Sequence, residues 1–216
     1  MPVTSYSQLG EDLQVAYFLG RREDLTYIDV GCLWPVELSN TYFFYKRGGR
    51  GLCVDPNPDV AEWFRNDRPR DTFVSAAAGT SGTVSYVMHE NPVFNTCSED
   101  RAAEVQRKAR NRGGRGVVGT TPTTVRTLDD IVEQSGFAAS LTEPLDVLSV
   151  DTTGMDLDVL TGFSFEAVRP ALVVTAHRSD RLGSDLAGDP LVERMTTVGY
   201  RTVGRTRSTL YFRDER

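Results

Sequence analysis

A chain of 216 residues with 39% hydrophobic content can bury one core with both faces of a sheet covered, and its length fits a single domain over residues 1–216. The formal charge of −6 and pI near 5.0 argue against a nucleic-acid binder with a wholly basic surface, since phosphate recognition rests on clustered Lys and Arg. Three widely spaced cysteines without a C-x-x-C pair fit a reduced, cytoplasmic protein, and no apolar run approaches the roughly 20 residues that cross a bilayer.

The opening "MPVTSYSQLGED" has neither a basic flank nor an apolar signal core. Apolar residues then recur every three or four positions from Glu11 to Leu19, which predicts a helix. "TYIDV" (Thr26 to Val30) predicts the first strand and turns at Gly31; a helix is expected from Asn40 to Arg47 and a second strand from Gly51 to Val54. The same periodicities place a helix at Val60 to Asn66 and strands at Thr72 to Ala76 and Val84 to Met88. Glu99 to Thr124 breaks the rhythm with dense charge, then Gly, Arg and Thr. The plain reading is a solvated helix followed by a flexible loop; the sharper one makes Arg107, Lys108, Arg110, Arg112 and Arg115 a positive rim for an anionic substrate. Beyond it come a helix at Leu128 to Gln134, a strand at Val147 to Val150, a helix at Asp156 to Leu160 and a strand at Leu172 to Thr175. A helix at Pro190 to Val198 and strands at Tyr200 to Val203 and Thr209 to Phe212 complete the chain.

Strand, helix and strand at this spacing imply an α/β fold with a mostly parallel sheet, whose ligands lie outside the carboxyl ends of the strands. Gly31 puts a residue without Cβ where the chain turns sharply and a ligand can approach closely. The second strand ends in "CVDPNP", which sets Asp55 at a tip, spaced from Asp29 much like the carboxylate roughly 20 residues on that grips ribose hydroxyls. A carboxylate accepts from both hydroxyls of a cis-diol; capping the turn before Pro56 is the structural alternative. Without a full G-x-G-x-x-G string, a nucleoside lacking phosphates, such as S-adenosylmethionine, fits better than a dinucleotide.

The strings "SYSQLGEDLQVAYFL", "YIDVG", "LSNTYFFYKRGGRGLCVDPNP", "TLDDIV" and "DVLSVD" with "GMDLDVLTGFSFE" and "RP" occur in order from Ser5 to about Pro170. Together they resemble the FkbM-type family of S-adenosylmethionine-dependent methyltransferases. The resemblance implies a Rossmann-like class I methyltransferase fold, a mostly parallel central sheet with helices on both faces. It also implies a methyl donor across the first two strand tips, leaving S-adenosylhomocysteine as product. On that comparison Asp29 and Gly31 line the methionine part, Asp55 the ribose, and Ser75, Ala76 and Ala77 the adenine, with Gln8, Glu11 and Asn40 as further polar contacts.

Three strand-end strings depart from the family. "GCLWP" follows the first strand where a polar position is usual, "DTTG" puts Thr153 in place of a glutamate, and "VVTAHRS" has Ala176 in place of an acid, with His177 beside it. The acceptor side is therefore altered while the donor side is kept. Asp151, retained at its strand tip, is a candidate proton acceptor, a metal ligand or a structural acid. His177 is the alternative base, with an ordinary pKa of roughly 6.5, or a satisfied polar residue. Trp34 packs its indole over the sulfonium by cation–π attraction, walls the acceptor pocket with Thr153, or packs in the core. With acids absent at 153 and 176, no metal is expected. The expected activity is O-methylation of a small-molecule or sugar hydroxyl, with no nucleic acid or membrane partner; the alternative is a binding domain, or an enzyme that diverts the donor to another reaction.

Overall fold

Tyr27 on one side and Ile28 and Val30 on the other give β1 (Thr26–Val30) two buried faces, which a strand has only inside a covered sheet. The computed structural model describes residues 3–22, 24–177 and 186–216. In it β1 lies within a seven-stranded sheet. On one side are β2 (Arg50–Asp55) and β3 (Thr72–Ser75); on the other are β7 (Val147–Val150), β8 (Leu172–Ala176), β10 (Thr209–Asp214) and β9 (Tyr200–Arg205). The five strands from β3 to β8 are parallel, and β10 runs against both its neighbours. The chain winds outward from β1 to β3 and then returns to β7. The order therefore reverses between β1 and β7, the switch point where open sheets of this kind bind ligands.

Helices cover both faces. Ile28, Val30, Leu148, Val150 and Val173 point to the face packed by α5 (Leu128–Ser135), α6 (Phe137–Ser140), α7 (Asp156–Thr161) and α8 (Pro190–Thr197). Tyr27, Cys53, Val147, Leu172 and Val174 point to the other, under α1 (Glu11–Phe18), α2 (Tyr42–Tyr45) and α3 (Val60–Asp67). Among the described residues no helix is long and apolar enough to cross a membrane.

The segment after Glu99 corrects the expectation of a loop. Its first half is the helix α4 (Glu99–Asn111), but its second half is β6 (Val117–Arg126), which pairs antiparallel with β5 (Gly82–His89) and briefly parallel with β4 (Ala77–Ala78). The β-branched run of Val117, Val118, Thr120, Thr121, Thr123, Thr124 and Val125 favours a strand. Pro122 is tolerated because β4 pairs only with Val125 and Arg126, leaving β6 an edge at the proline. The expected helix at Asn40 shrinks to α2, which starts after Thr41 and leaves Asn40 outside it.

One fully buried cation holds the α1–α3 face together. Arg68 donates from Nε to Asp71 (2.7 Å) and from Nη2 to Tyr27 and Thr41 (3.0 Å each); its Nη1 reaches the Pro35 carbonyl and Ser39 Oγ (3.2 Å each). Asp71 in turn accepts from Tyr27 Oη and the Gly51 amide. Replacing Arg68 with Met, which strands the buried Asp71 carboxylate, is expected to cost about 3–5 kcal/mol of folding free energy. Adding Asp71→Leu should recover much of that cost; both are read from guanidinium denaturation midpoints.

Candidate functional site

A cleft of about 880 Å³ opens at the carboxyl ends of β1, β2, β7 and β8, with Val30, Val54, Val150 and Thr175 in its lining. That volume is in the range of roughly 300–1,000 Å³ usual for small-molecule sites. Gly31, at φ +80°, makes the turn at the β1 tip. Its glycine serves the protein's own backbone: an added Cβ would stand 2.1 Å from the Asp151 carbonyl oxygen. The Gly31 amide donates to the Val54 carbonyl (2.8 Å) and the Asp151 amide to the Val30 carbonyl (2.9 Å), which locks the tips of β1, β2 and β7 together.

Asp55, the last residue of β2, lines the cleft and is 5% exposed. One carboxylate oxygen accepts from the Leu33 amide (3.0 Å) and the other from the Asn57 amide (2.8 Å). Each oxygen keeps a lone pair for a further donor. Burial pushes the carboxyl up to about 6, against the pull of the Asn57 and Leu33 amides. Beside it Ala76 and Ala77 line an apolar stretch of the wall, continued by Ala78. Ser75, expected with them, is exposed at the end of β3 and lies outside the lining, because alternation along the strand turns it away.

Asp29 is likewise displaced from its expected place. It lies one residue before the β1 tip, so its side chain points beneath the cleft and accepts from Thr41 Oγ1 (2.6 Å). Burial raises its pKa, while Thr41 and then Arg68 lower it. Asp29 thus anchors the 33–41 loop that carries Trp34 and Asn40 into the lining. Leu33 and Leu38 of that loop hold positive φ (43° and 55°), conformations that persist only where the surroundings enforce them. Asn40 Nδ2 donates to Ser149 Oγ (3.1 Å).

Gln8 and Glu11 both reach the lining. Glu11 accepts from the Leu9 amide (2.7 Å) and Thr209 Oγ1 (3.2 Å), fastening the N-terminal loop to β10. Asp12, which sequence reasoning passed over, is buried and accepts from the Ser5 and Ser7 hydroxyls and the Tyr6 amide; it folds "SYSQ" back over the sheet edge.

At the β7 tip the exposed Asp151 lines the cleft. Thr153 follows, buried at φ +56°, and its carbonyl accepts from Thr96 Oγ1 (2.8 Å). Asp156 accepts the Thr152 and Gly154 amides and shapes the turn between them. His177 is a correction to the expected catalytic pair: it lies outside the lining, its Nε2 2.7 Å from Asp189 Oδ2. Asp189 caps α8 by accepting the Leu191 and Val192 amides, so this histidine ties a strand end to a helix start. Arg178 and Ser179 of the same string lie outside the described residues.

One wall comes from α4, in the segment that the sharper sequence reading made a rim, and from the short 3₁₀ turn Pro92–Phe94; Arg101, Glu104 and that turn are what sequence reasoning missed. Arg101, Glu104 and Lys108 repeat at three and four positions, so they share one helix face, and all three line the cleft. Of the five cations proposed for a rim, only Lys108 lines it. Spacing alone carried the signal, and the charge of the helix hid it. Cys97 also lines the cleft, its thiol pushed up to about 11 by burial and Asp55. Among the described residues no group of three or more His, Cys, Asp or Glu could hold a metal ion.

The donor set suits a nucleoside with an amino-acid tail: a desolvated acid for a diol, an alanine wall for a base, and Gln8, Glu11 and Asn40 for polar ends. Because Asp55 ionises near 6, S-adenosylhomocysteine affinity is expected to fall as pH drops through about 6. Asp55→Asn should weaken binding and remove that step in calorimetric titrations. The raised pKa also means that the folded protein holds this proton more tightly than the unfolded chain. This group's contribution to stability therefore rises as pH falls from about 6 towards 4.

The family model described as the methyltransferase FkbM domain matches residues 21–201. Among curated protein sequences none matches the chain. Similar solved structures include a precorrin-6y C5,15-methyltransferase from Geobacter metallireducens, at 13% identity and TM-score 0.47, covering 99% of this chain and 94% of that one. A 1,6-didemethyltoxoflavin-N1-methyltransferase from Burkholderia thailandensis, solved with S-adenosylhomocysteine, shares 15% identity at TM-score 0.46, covering 95% of this chain and 77% of its own. A TehB-like methyltransferase from Corynebacterium glutamicum shares 10% at TM-score 0.46, over 96% and 89%. All three scores fall below 0.5, and the family match carries the assignment. The chain belongs to the FkbM methyltransferase domain family and is an S-adenosylmethionine-dependent methyltransferase.

Proposed function

We propose that the protein methylates a hydroxyl oxygen of a small molecule, a sugar or natural product, with Asp151 as proton acceptor. The observation that carries this reading is the contact between the β1 and β7 tips: the Asp151 amide bonds the Val30 carbonyl, so Asp151, exposed and in the cleft lining, follows β7 directly beside the turn at Gly31. S-adenosylmethionine, when bound, supplies an activated methyl group and so asks little covalent help of the protein. What remains is alignment of the acceptor and removal of its proton. Asp151 is the carboxylate at the β7 tip within the lining, whereas His177 lies outside the lining with its Nε2 on Asp189.

A cleft of ordinary small-molecule volume, walled on one side by α4, favours a free small molecule over a nucleic acid or a membrane lipid. Trp34 and Thr153, both in the lining, are the expected acceptor contacts. Free thiols at Cys32, Cys53 and Cys97 support a cytoplasmic setting.

Incubating the protein with methyl-labelled donor and a library of hydroxylated small molecules, followed by mass analysis, tests the reading. Label should appear on an acceptor hydroxyl, together with S-adenosylhomocysteine. Asp151→Asn is expected to lower kcat by about 10²-fold or more. Its affinity for S-adenosylhomocysteine should stay near that of the parent, whereas His177→Gln should alter stability more than turnover. Tight donor binding with no turnover on any hydroxyl would favour a binding role instead.

A further inference from the structure

Resting on that acceptor reading, we infer that the acceptor carries an oxyanion, a carboxylate or phosphate, which Arg101 receives on the α4 wall of the cleft. The side chain is anchored at its stem and at one terminal nitrogen, and an anion reaches its buried Nε edge by displacing the atoms that cover it. Its stem lies against the turn after β7, where a Cβ on Gly154 would stand 3.3 Å from Arg101 Cβ. Its Nη1 bonds Glu104, and Lys108 Nζ bonds the other oxygen of the same carboxylate at 2.5 Å. Glu104 stays ionised, held down to about 2 by Lys108 and then Arg101, so the triad keeps its shape across the neutral range.

One donor of this guanidinium has nothing to bond. The Nε–H of Arg101 is buried and, among the described residues, has no acceptor. Native proteins rarely leave a buried N–H unpaired, and a charged one is more costly still. Nε and a neighbouring terminal nitrogen form one edge of the planar fork that matches two oxygens of a carboxylate or phosphate. Glu104 occupies only Nη1 in the contacts described. The two cations against one carboxylate leave the triad a net positive charge, which favours an anion on this wall.

Position gives the orphan donor its meaning. Arg101 packs on the turn that begins at Asp151, so an anion bound there holds the rest of the acceptor near the proposed proton acceptor. Lys108 extends the same face away from the helix start, and Arg207 joins the lining from the turn between β9 and β10. Glu11 on α1 and Asp55 on β2 line the cleft on other elements, while Asp151 is the lining acid at the turn on which Arg101 packs. The wall thus discriminates between acceptors by charge, a task that the departed strand-end acids do not perform.

The Arg101 Nε–H resonance of ¹⁵N-labelled protein, assigned through bonds in the unmodified chain, tests the inference. Benzoate, inorganic phosphate and the neutral control benzamide are titrated with and without saturating S-adenosylhomocysteine. A saturable downfield displacement by benzoate or phosphate, absent with benzamide, is expected in the nucleoside-saturated protein. An equal response to benzamide, or none to either anion at tens of millimolar, overturns the inference. So does displacement by S-adenosylhomocysteine alone with nothing added by the anions, because the orphan donor would then serve the donor's own carboxylate. A shifted resonance beside a barren hydroxyl screen would sink the hydroxyl reading and keep the anion site; a productive screen beside a silent resonance would do the reverse.

Discussion

A guanidinium with no access to water lies under the cleft, and the site depends on it. Arg68 is paired with Asp71 and reaches three elements: β1 through Tyr27, the start of α2 through Thr41, and the 33–41 loop through Pro35 and Ser39. A buried ion pair contributes little net stability over apolar packing, yet removing one member leaves the other stranded. Its effect here is placement. The loop over the β1 tip contains two non-glycine residues at positive φ and would relax towards other conformations without a fixed anchor.

The same logic runs through the opposite half of the cleft. The turn after β7 is shaped by Asp156, which accepts two of its amides, and is tied to the α4 side by the bond from Thr96 to the Thr153 carbonyl. Gly31 lets the β1 turn touch the Asp151 carbonyl without a Cβ between them. The β1 and β7 turns are therefore joined at one edge of the sheet, and α4 with the Pro92–Phe94 turn walls the cleft beside it. Preorganisation of this kind suits methyl transfer, where alignment supplies most of what the protein contributes.

Much of this was legible in the chain, and the failures are instructive. Strands β1 and β7 have the boundaries that their apolar runs predict, because both faces are buried and few other conformations hide so many β-branched side chains. The strand at Val117–Arg126 was hidden because its outward residues are threonines and glycines beside a dense run of arginines; only pairing with Gly82–His89 settles it. His177 read as a candidate base because nothing local reveals that Asp189, 12 residues on, holds its ring.

The sequence by itself determined the α/β class, the family, and the two tips where an acid and a glycine had to stand, since these follow from local periodicity and from strings of adjacent residues. Tertiary structure decided which side chains see the cleft. Asp29 and Asp55 are both strand-end acids, yet a one-residue difference in distance from the tip turns the first under the sheet and leaves the second on the wall. Arg101 became a wall residue only when α4 was laid against a turn more than 50 positions further along the chain. The physical reason is that alternation and helical period fix a side chain's face, whereas what that face meets is set by packing between segments remote in sequence.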